Sequence, residues 1–204
     1  MKTCSRIILL FAVMAMFMTA GCVRIWRKSI DQKTYMLTTH RETDPLKTPR
    51  ADKLWIDTVR VLPPFDVRSL ILRDNDVRFE SSYYSELLIS PSENFRNNFY
   101  TWFSGSGIFK HVSISDFSDS SHRLSVSVIR FYGNLEEGDK KTVLSVKATL
   151  FDERADGMRV LFSKDYIHEE ATPDMTADEL IRSYNRSLSK ILAECETDVI
   201  EILQ

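Results

Sequence analysis

The feature that most constrains the fold is a stretch in which the apolar residues recur at every second position. Between residues 109 and 170, segments such as RLSVSV and TVLSVKATL alternate leucine, valine or alanine with serine, lysine or threonine. A period of two places the apolar side chains on one face of a strand, and the glycines of EGD and DG mark turns between strands. This stretch therefore predicts an antiparallel meander that buries one of its faces.

Two other segments follow the helical period of 3.6 residues, and each begins with a capping box. SPSE occupies residues 90–93 and TADE occupies residues 176–179. In a capping box, the side chains of the first and fourth residues satisfy amides at the start of a helix, and proline is favoured at the first helical position. Gly105 and Gly107 are predicted to end the first helix.

Each predicted helix carries one apolar stripe, which we expect to face the sheet. A coiled coil with a partner chain would show the same pattern in the second helix. The first stripe consists of Phe95, Phe99, Trp102 and Phe103. The second consists of Ile181, Tyr184, Leu188, Ile191, Cys195, Val199 and Ile202, with Arg182, Arg186, Lys190 and Glu196 on the polar side.

These segments predict an α+β fold: one mixed, mostly antiparallel sheet with two amphipathic helices packed on one face. Shorter strands are predicted before the first helix, in TYMLTT (residues 34–39), LWIDTVRVLPPF and VRFESSYYSELL. The side chains expected to share a face are Trp55, Val59 and Val61 in one strand, and Val77, Phe79, Ser81 and Tyr83 in another.

Residues 1–21 have the layout of a secretory signal peptide. Lys2 and Arg6 precede an uncharged run of 14 residues, 7–20, that ends in small side chains. Because a membrane-spanning helix needs at least roughly 17 apolar residues, this run is better suited to a signal peptide than to a transmembrane segment. An uncleaved anchor remains the alternative.

The residues after this run resemble the lipobox of bacterial lipoproteins. Ala20 and Gly21 precede Cys22, with Thr19 at the position where most lipoboxes carry an aliphatic residue. The resemblance implies a diacylglycerol on the Cys22 thiol, cleavage before it, and an N-acyl chain on the new amine. Val23 differs from the aspartate of an inner-membrane retention signal, which favours the periplasmic face of the outer membrane. An ordinary signal peptide with an incidental cysteine is the alternative.

The predicted domain organisation follows from that cleavage. Residues 1–21 form the signal peptide, residues 22–33 form a lipidated N-terminus and basic tether, and residues 34–204 form a single α+β domain. At about 3.3–3.6 Å per residue, the tether extends no more than about 40 Å from the bilayer. Because each buried CH₂ of an acyl chain contributes about 0.8 kcal/mol, several chains would hold the domain at its membrane.

Composition and motifs predict a protein without enzymatic activity, metal or cofactor. Cleavage before Cys22 leaves 25 basic and 29 acidic residues, a net charge of −4 that gives no general attraction for nucleic acid. HEE at residues 168–170 lacks the second histidine of a zinc motif, and neither a G-x-S-x-G elbow nor a P-loop is present. Cys195 falls on a helix stripe and is interpreted as a small buried hydrophobe.

The order of these segments resembles the ABC-type transport auxiliary lipoprotein family, the outer-membrane lipoprotein component of MCE (mammalian-cell-entry) intermembrane lipid transport systems. The resemblance rests on the lipobox, TYMLTT, the V-x-V-L-P strand end at residues 59–63, SLILR ending at Arg73, YYSELL, the two amphipathic helices and the meander between them. This chain has Tyr83-Tyr84 where the family tends to have arginine and tryptophan.

The resemblance implies a non-enzymatic subunit that docks an ABC/MCE transport system at the outer membrane, with an MCE-domain periplasmic protein as its partner. Pro63, Phe65 and Arg73, in a loop expected to be partly exposed, are candidate partner-binding residues. Ordinary packing of Phe65 and solvation of Arg73 are the alternative for that loop. An exposed edge strand is a second candidate surface, because unpaired backbone groups invite strand addition.

Two alternative functions remain open at this point. The first is a carrier that binds lipid in a groove between the aromatic helix and the sheet, lined by Phe95, Phe99 and Trp102. The second is an assembly lipoprotein of an outer-membrane β-barrel machine.

Overall fold

A computed structural model describes residues 32–154 and 157–204, which form nine strands and two helices. The predicted signal peptide and Cys22 lie outside the described residues. The strands are β1 (Lys33–Tyr35), β2 (Ala51–Ile56), β3 (Arg60–Val61), β4 (Ser69–Arg73), β5 (Phe79–Leu87), β6 (Phe109–Ser113), β7 (His122–Asn134), β8 (Lys141–Asp152) and β9 (Arg159–Ala171). The helices are α1 (Pro91–Ser106) and α2 (Ala177–Ile202).

The strands form one mixed sheet that is organised around β7. On one side, β7 pairs antiparallel with β8 and β8 with β9, which confirms the predicted meander. On the other side, β7 pairs parallel with β2, β3 and β4. Strand β6 extends the sheet beyond β2, while β5 and then β1 extend it beyond β4. The longest ladders are antiparallel, so the predicted α+β fold is confirmed.

The strand predicted through LWIDTVRVLPPF is interrupted, and the interruption changes which side chains are buried. Ile56 pairs with Leu124 and Arg60 pairs with Ser127, so one extra residue separates β2 from β3 along β7. The prediction that Trp55 shares a face with Val59 and Val61 is therefore wrong, because a single inserted residue reverses the side to which a side chain points. The buried residues of this segment are Leu54, Ile56, Val59 and Val61.

Both predicted capping boxes begin helices. The Ser90 hydroxyl accepts a hydrogen bond from the Glu93 amide at 3.3 Å, and the Thr176 hydroxyl accepts one from the Glu179 amide at 3.4 Å. Gly107 ends α1 with a left-handed φ of 71°, as its position predicts.

Both helices pack on the same face of the sheet, with Phe131 of β7 between them. The Phe131 ring lies 5.3 Å from the ring centre of Phe95 in α1 and 4.5 Å from that of Tyr184 in α2. The predicted stripes are buried except for Ile202, which is 45% exposed at the end of α2. Within the described residues, neither helix is long and apolar enough to cross a membrane.

Candidate partner-binding surfaces

The three predicted partner-binding residues differ in their exposure. Pro63 is exposed in the turn after β3, Phe65 is only 6% exposed, and the side chain of Arg73 at the end of β4 is about one quarter exposed. The expectation that Phe65 is partly exposed is wrong, because its ring packs against other aromatic rings. The structure thus favours ordinary packing for Phe65.

Tyr132 brings Phe65 and Arg73 together on the face of the sheet opposite the helices. The Phe65 ring stacks on Tyr132 with a centroid distance of 5.8 Å, and Phe79 meets Tyr132 edge-on at 5.7 Å. The Arg73 guanidinium lies 5.2 Å from the Tyr132 ring centre, and its Nε donates to the Asn134 side-chain oxygen at 3.1 Å. Because Phe65 and Arg73 both pack against Tyr132, little of their own surface remains available to a partner.

Strand β5 and the turn before it expose apolar side chains that the sequence pattern places on one face. Val77 is 83% exposed, Phe79 is 43% exposed and Tyr83 is 70% exposed. Only the C-terminal part of the strand enters the core, where Leu87 is fully buried.

A bulge in β5 accounts for the exposure of Tyr83 and its neighbour Tyr84. Ser69 and Ile71 are two residues apart in β4, but their partners in β5 are five residues apart. The additional residues leave the ladder, and a bulge of this kind re-aims side chains. Tyr83 and Tyr84 lie in this segment, 70% and 59% exposed, with their rings edge-on at 5.2 Å. Periodicity cannot reveal them as surface residues because the bulge itself breaks the period.

Strand β9 forms a long edge on the other side of the sheet. It pairs with β8 alone, so its outer edge has no strand partner among the described residues. Val160 and Ile167 are 54% and 56% exposed along it. Its charged side chains reach α2, where Lys164 Nζ donates to the Asp198 carboxylate at 2.8 Å. Charges on an edge strand limit indiscriminate pairing with other chains.

The predicted lipid groove is absent from its expected place. Phe95 and Phe99 are fully buried and Trp102 is 5% exposed, so their rings fill the space between α1 and the sheet. A surface depression of about 590 Å³ lies instead between the segment after β1 and α2, and its lining includes Thr38, Asn185 and, of the three predicted groove residues, Trp102. The carrier alternative therefore loses the groove on which it depended.

A buried carboxylate joins the segment after β1 to both helices. Glu196 was predicted on the polar side of α2, but it is only 6% exposed, so that prediction is wrong. Its oxygens accept hydrogen bonds from Arg41 at 2.7 and 2.9 Å and from the indole N–H of Trp102 at 2.7 Å. A buried charge is tolerated when it is paired and hydrogen-bonded in this way.

The described residues contain no group of three or more histidine, cysteine or acidic side chains placed to hold a metal ion. Cys195 is fully buried, as predicted, and burial raises the pKa of its thiol to about 12. Because the thiolate is the reactive form of cysteine, this thiol is poorly suited to nucleophilic chemistry.

His122 is a buried titratable group near one end of β7. It is 1% exposed, its Nδ1 lies 2.9 Å from the Ser121 hydroxyl, and its Nε2 has no hydrogen-bond partner among the described residues. Burial lowers the pKa of His122, the positive charge of Arg154 lowers it further, and Asp152 partly opposes the shift. The folded protein therefore favours the neutral imidazole.

We expect the free energy of unfolding to decrease as the pH falls below about 6.5, because the unfolded chain then takes up a proton at His122 that the folded state resists. Urea unfolding between pH 8 and pH 5 measures this slope. His122→Gln should flatten it, whereas the exposed control His111→Gln should retain it. Equal slopes in the two variants would contradict the assignment. The carboxyl of Asp152, whose pKa is lowered, titrates below this window.

No family model and no curated protein matches this chain. Its fold is similar to that of a DUF330 protein from Xanthomonas campestris, with a TM-score of 0.68, 15% identity, and coverage of 80% of this chain and 92% of that chain. An uncharacterized protein gives a TM-score of 0.66 at 16% identity, with coverage of 82% and 98%. Lipoprotein GNA1162 from Neisseria meningitidis is less similar, with a TM-score of 0.39, 12% identity, and coverage of 70% and 99%. The first two similarities show the fold.

Proposed function

We propose that this protein is a lipid-anchored auxiliary subunit of an ABC/MCE-type transport system. In this role it docks the system at the periplasmic face of the outer membrane, where lipid or another hydrophobic molecule is transported across the periplasm. The lipobox at Cys22 and the order of the segments support this role. The subunit acts by binding and has no catalytic step of its own.

The free edge of β9 is the observation that carries this proposal. An extended segment of an MCE-domain partner can join such an edge as an additional strand, with main-chain hydrogen bonds providing affinity and side chains providing specificity. Val160 and Ile167 offer apolar contacts, and the neighbouring charges select against segments that do not complement them. The candidate loop is less suitable because Phe65 is buried.

A crosslinking pull-down from native envelopes tests this function. We expect the wild-type chain to recover an MCE-domain protein, and Cys22→Ser to recover less because the unanchored domain is no longer concentrated at its membrane. Mass spectrometry of the captured proteins, and of the lipid on Cys22, provides the measurement. Recovery of a β-barrel protein alone, or of no protein, would overturn the transport role.

A pair of variants tests the surface itself. Ile167→Asp places a charge on the exposed part of β9 and should reduce recovery about tenfold, which corresponds to about 1.4 kcal/mol of binding free energy. Ile202→Asp makes the same change at a side chain that is 45% exposed at the end of α2, and should leave recovery unchanged. Equal recovery with both variants would exclude β9 as the docking edge.

A further inference from the structure

We infer that the surface formed by β1, β5 and the β4–β5 turn contacts the lipid bilayer directly, at the level of the headgroups. This inference rests on the proposed function, in which Cys22 carries the lipid anchor. It adds that the folded domain has a defined membrane-facing side, so that the anchor does not act alone.

Exposed apolar side chains are concentrated on this part of the domain. Seven of the thirteen large apolar side chains that are exposed in the described residues lie in or next to β1, β4 and β5. Concentrated exposure of this kind marks surfaces that contact a protein or a membrane. The seven are Met36, Val67, Val77, Phe79, Tyr83, Tyr84 and Leu88.

The chemistry of these side chains suits the bilayer interface. Tyrosine has an apolar ring and a polar hydroxyl, and it is enriched where membrane meets water. The β5 bulge presents Tyr83 and Tyr84 together, and Val77 projects from the turn with 83% of its surface exposed. Val77 is the apolar side chain of an otherwise charged and polar turn (residues 74–78). Together with the two adjacent tyrosines it can enter the headgroup region while the hydroxyls and the neighbouring charges remain hydrated.

Ion pairs join several of the charged side chains around this surface. Arg78 lies 3.4 Å from Asp74 and also pairs with Glu80, while Arg68 lies 2.7 Å from Glu86. Around the β4–β5 turn, acidic side chains outnumber basic ones, since Asp74, Asp76 and Glu80 surround the single Arg78. We expect its contact with lipid to depend on apolar and aromatic burial more than on attraction to anionic headgroups.

The direction of β1 favours a membrane as the occupant of this surface. Strand β1 runs parallel to β5 with Lys33 opposite Ser85, so the N-terminal end of β1 points toward the end of the sheet where β5 begins and where the β4–β5 turn lies. The short segment between Cys22 and Lys33 extends no more than about 40 Å. Strand β1, the first described strand after the predicted anchor, thus lies at the edge next to the exposed tyrosines of β5, while β9 lies at a different edge.

Site-specific labelling of the full, lipidated chain tests the inference. Val77→Cys introduces an exposed thiol, and Cys195 should not react with the label because it is buried and its thiol pKa is raised. An environment-sensitive fluorophore at residue 77 is measured in vesicles of phosphatidylethanolamine and phosphatidylglycerol. We expect a blue shift, quenching by headgroup-proximal lipid quenchers, and several-fold protection from aqueous iodide. The matched control Ile167→Cys on β9 should show none of these changes.

Each outcome has one interpretation. Mass spectrometry first tests whether Cys22 is lipidated. The absence of a lipid on Cys22 would overturn the proposed function and this inference together. With lipid present, equal iodide quenching at residues 77 and 167 would overturn this inference alone. Protection at residue 77 in native envelopes but not in pure lipid vesicles would show that a protein covers the surface. A label at Tyr84→Cys repeats the measurement beside the turn and should respond in the same direction as the first.

Discussion

Replacing Glu196 with alanine is expected to lower the free energy of unfolding by about 3–5 kcal/mol, because removing one partner of a buried ion pair leaves the other charge buried and uncompensated. Arg41, whose side chain is 11% exposed, would keep its positive charge, and the indole N–H of Trp102 would lose its acceptor. The carboxylate joins α2 to α1 and to the segment after β1. We therefore expect its removal to weaken the packing of all three and not of α2 alone. Urea unfolding at pH 7 measures the change.

Glu194 provides a matched control on the same helix. Its carboxylate lies 2.7 Å from His168 but is 48% exposed, and an exposed pair of this kind contributes about 0–1 kcal/mol. Glu194→Ala should therefore cost far less than Glu196→Ala. Similar losses in the two variants would mean that Glu196 acts through helix propensity or surface charge and not through its buried contacts.

The Glu196 contacts also show which part of α2 could be predicted from the sequence. The apolar stripe was predictable because every member repeats the helical period and faces the same sheet. Glu196 also falls within the buried part of the helix surface, but its partner Arg41 lies 155 positions away in an irregular segment. Since no local pattern reports such a partner, the glutamate resembles an ordinary solvated side chain in the sequence.

The strands outside the meander show a related limit. Meander strands β7, β8 and β9 pair in chain order, so alternation and turn residues predict their arrangement. Two irregularities depend on pairing with distant strands: the extra residue between β2 and β3, and the bulge in β5. Each changes the side of the sheet to which the following side chains point, so the alternation in the sequence no longer predicts their face. The exposed tyrosines of β5 were missed for this reason. The sequence carried only one signal of a surface strand there, the polar pair Ser81-Ser82 beside them.

Two of the sheet's outer strands, β1 and β9, suggest how one small domain connects a membrane to a protein partner. The chain enters at β1, beside the exposed side chains of β5, whereas β9 is reached only by crossing β4, β7 and β8. A bilayer contact at the first edge would leave the second accessible from the periplasm.

Substituting alanine for Gly107 is expected to destabilise the fold by about 2 kcal/mol or more. The φ of 71° alone costs an L-residue about 1–2 kcal/mol. A Cβ at this position would also lie 2.5 Å from the carbonyl oxygen and 2.9 Å from the nitrogen of Leu46, which are backbone atoms that cannot rotate away. Because the Leu46 amide donates to the Ser106 carbonyl at 2.8 Å, moving that backbone would also weaken the contact between the preceding loop and the end of α1.

Gly105, two residues earlier, should respond in the opposite direction. It lies within α1, and an added Cβ would meet no atom within 4 Å, so Gly105→Ala should raise the free energy of unfolding by about 0.5–1 kcal/mol through helix propensity. Urea unfolding of the two variants under identical conditions therefore tests the sign of each effect as well as its size. Destabilisation by both substitutions would show that α1 ends before Gly105, whereas stabilisation by both would show that the backbone at Gly107 is not held in the left-handed conformation.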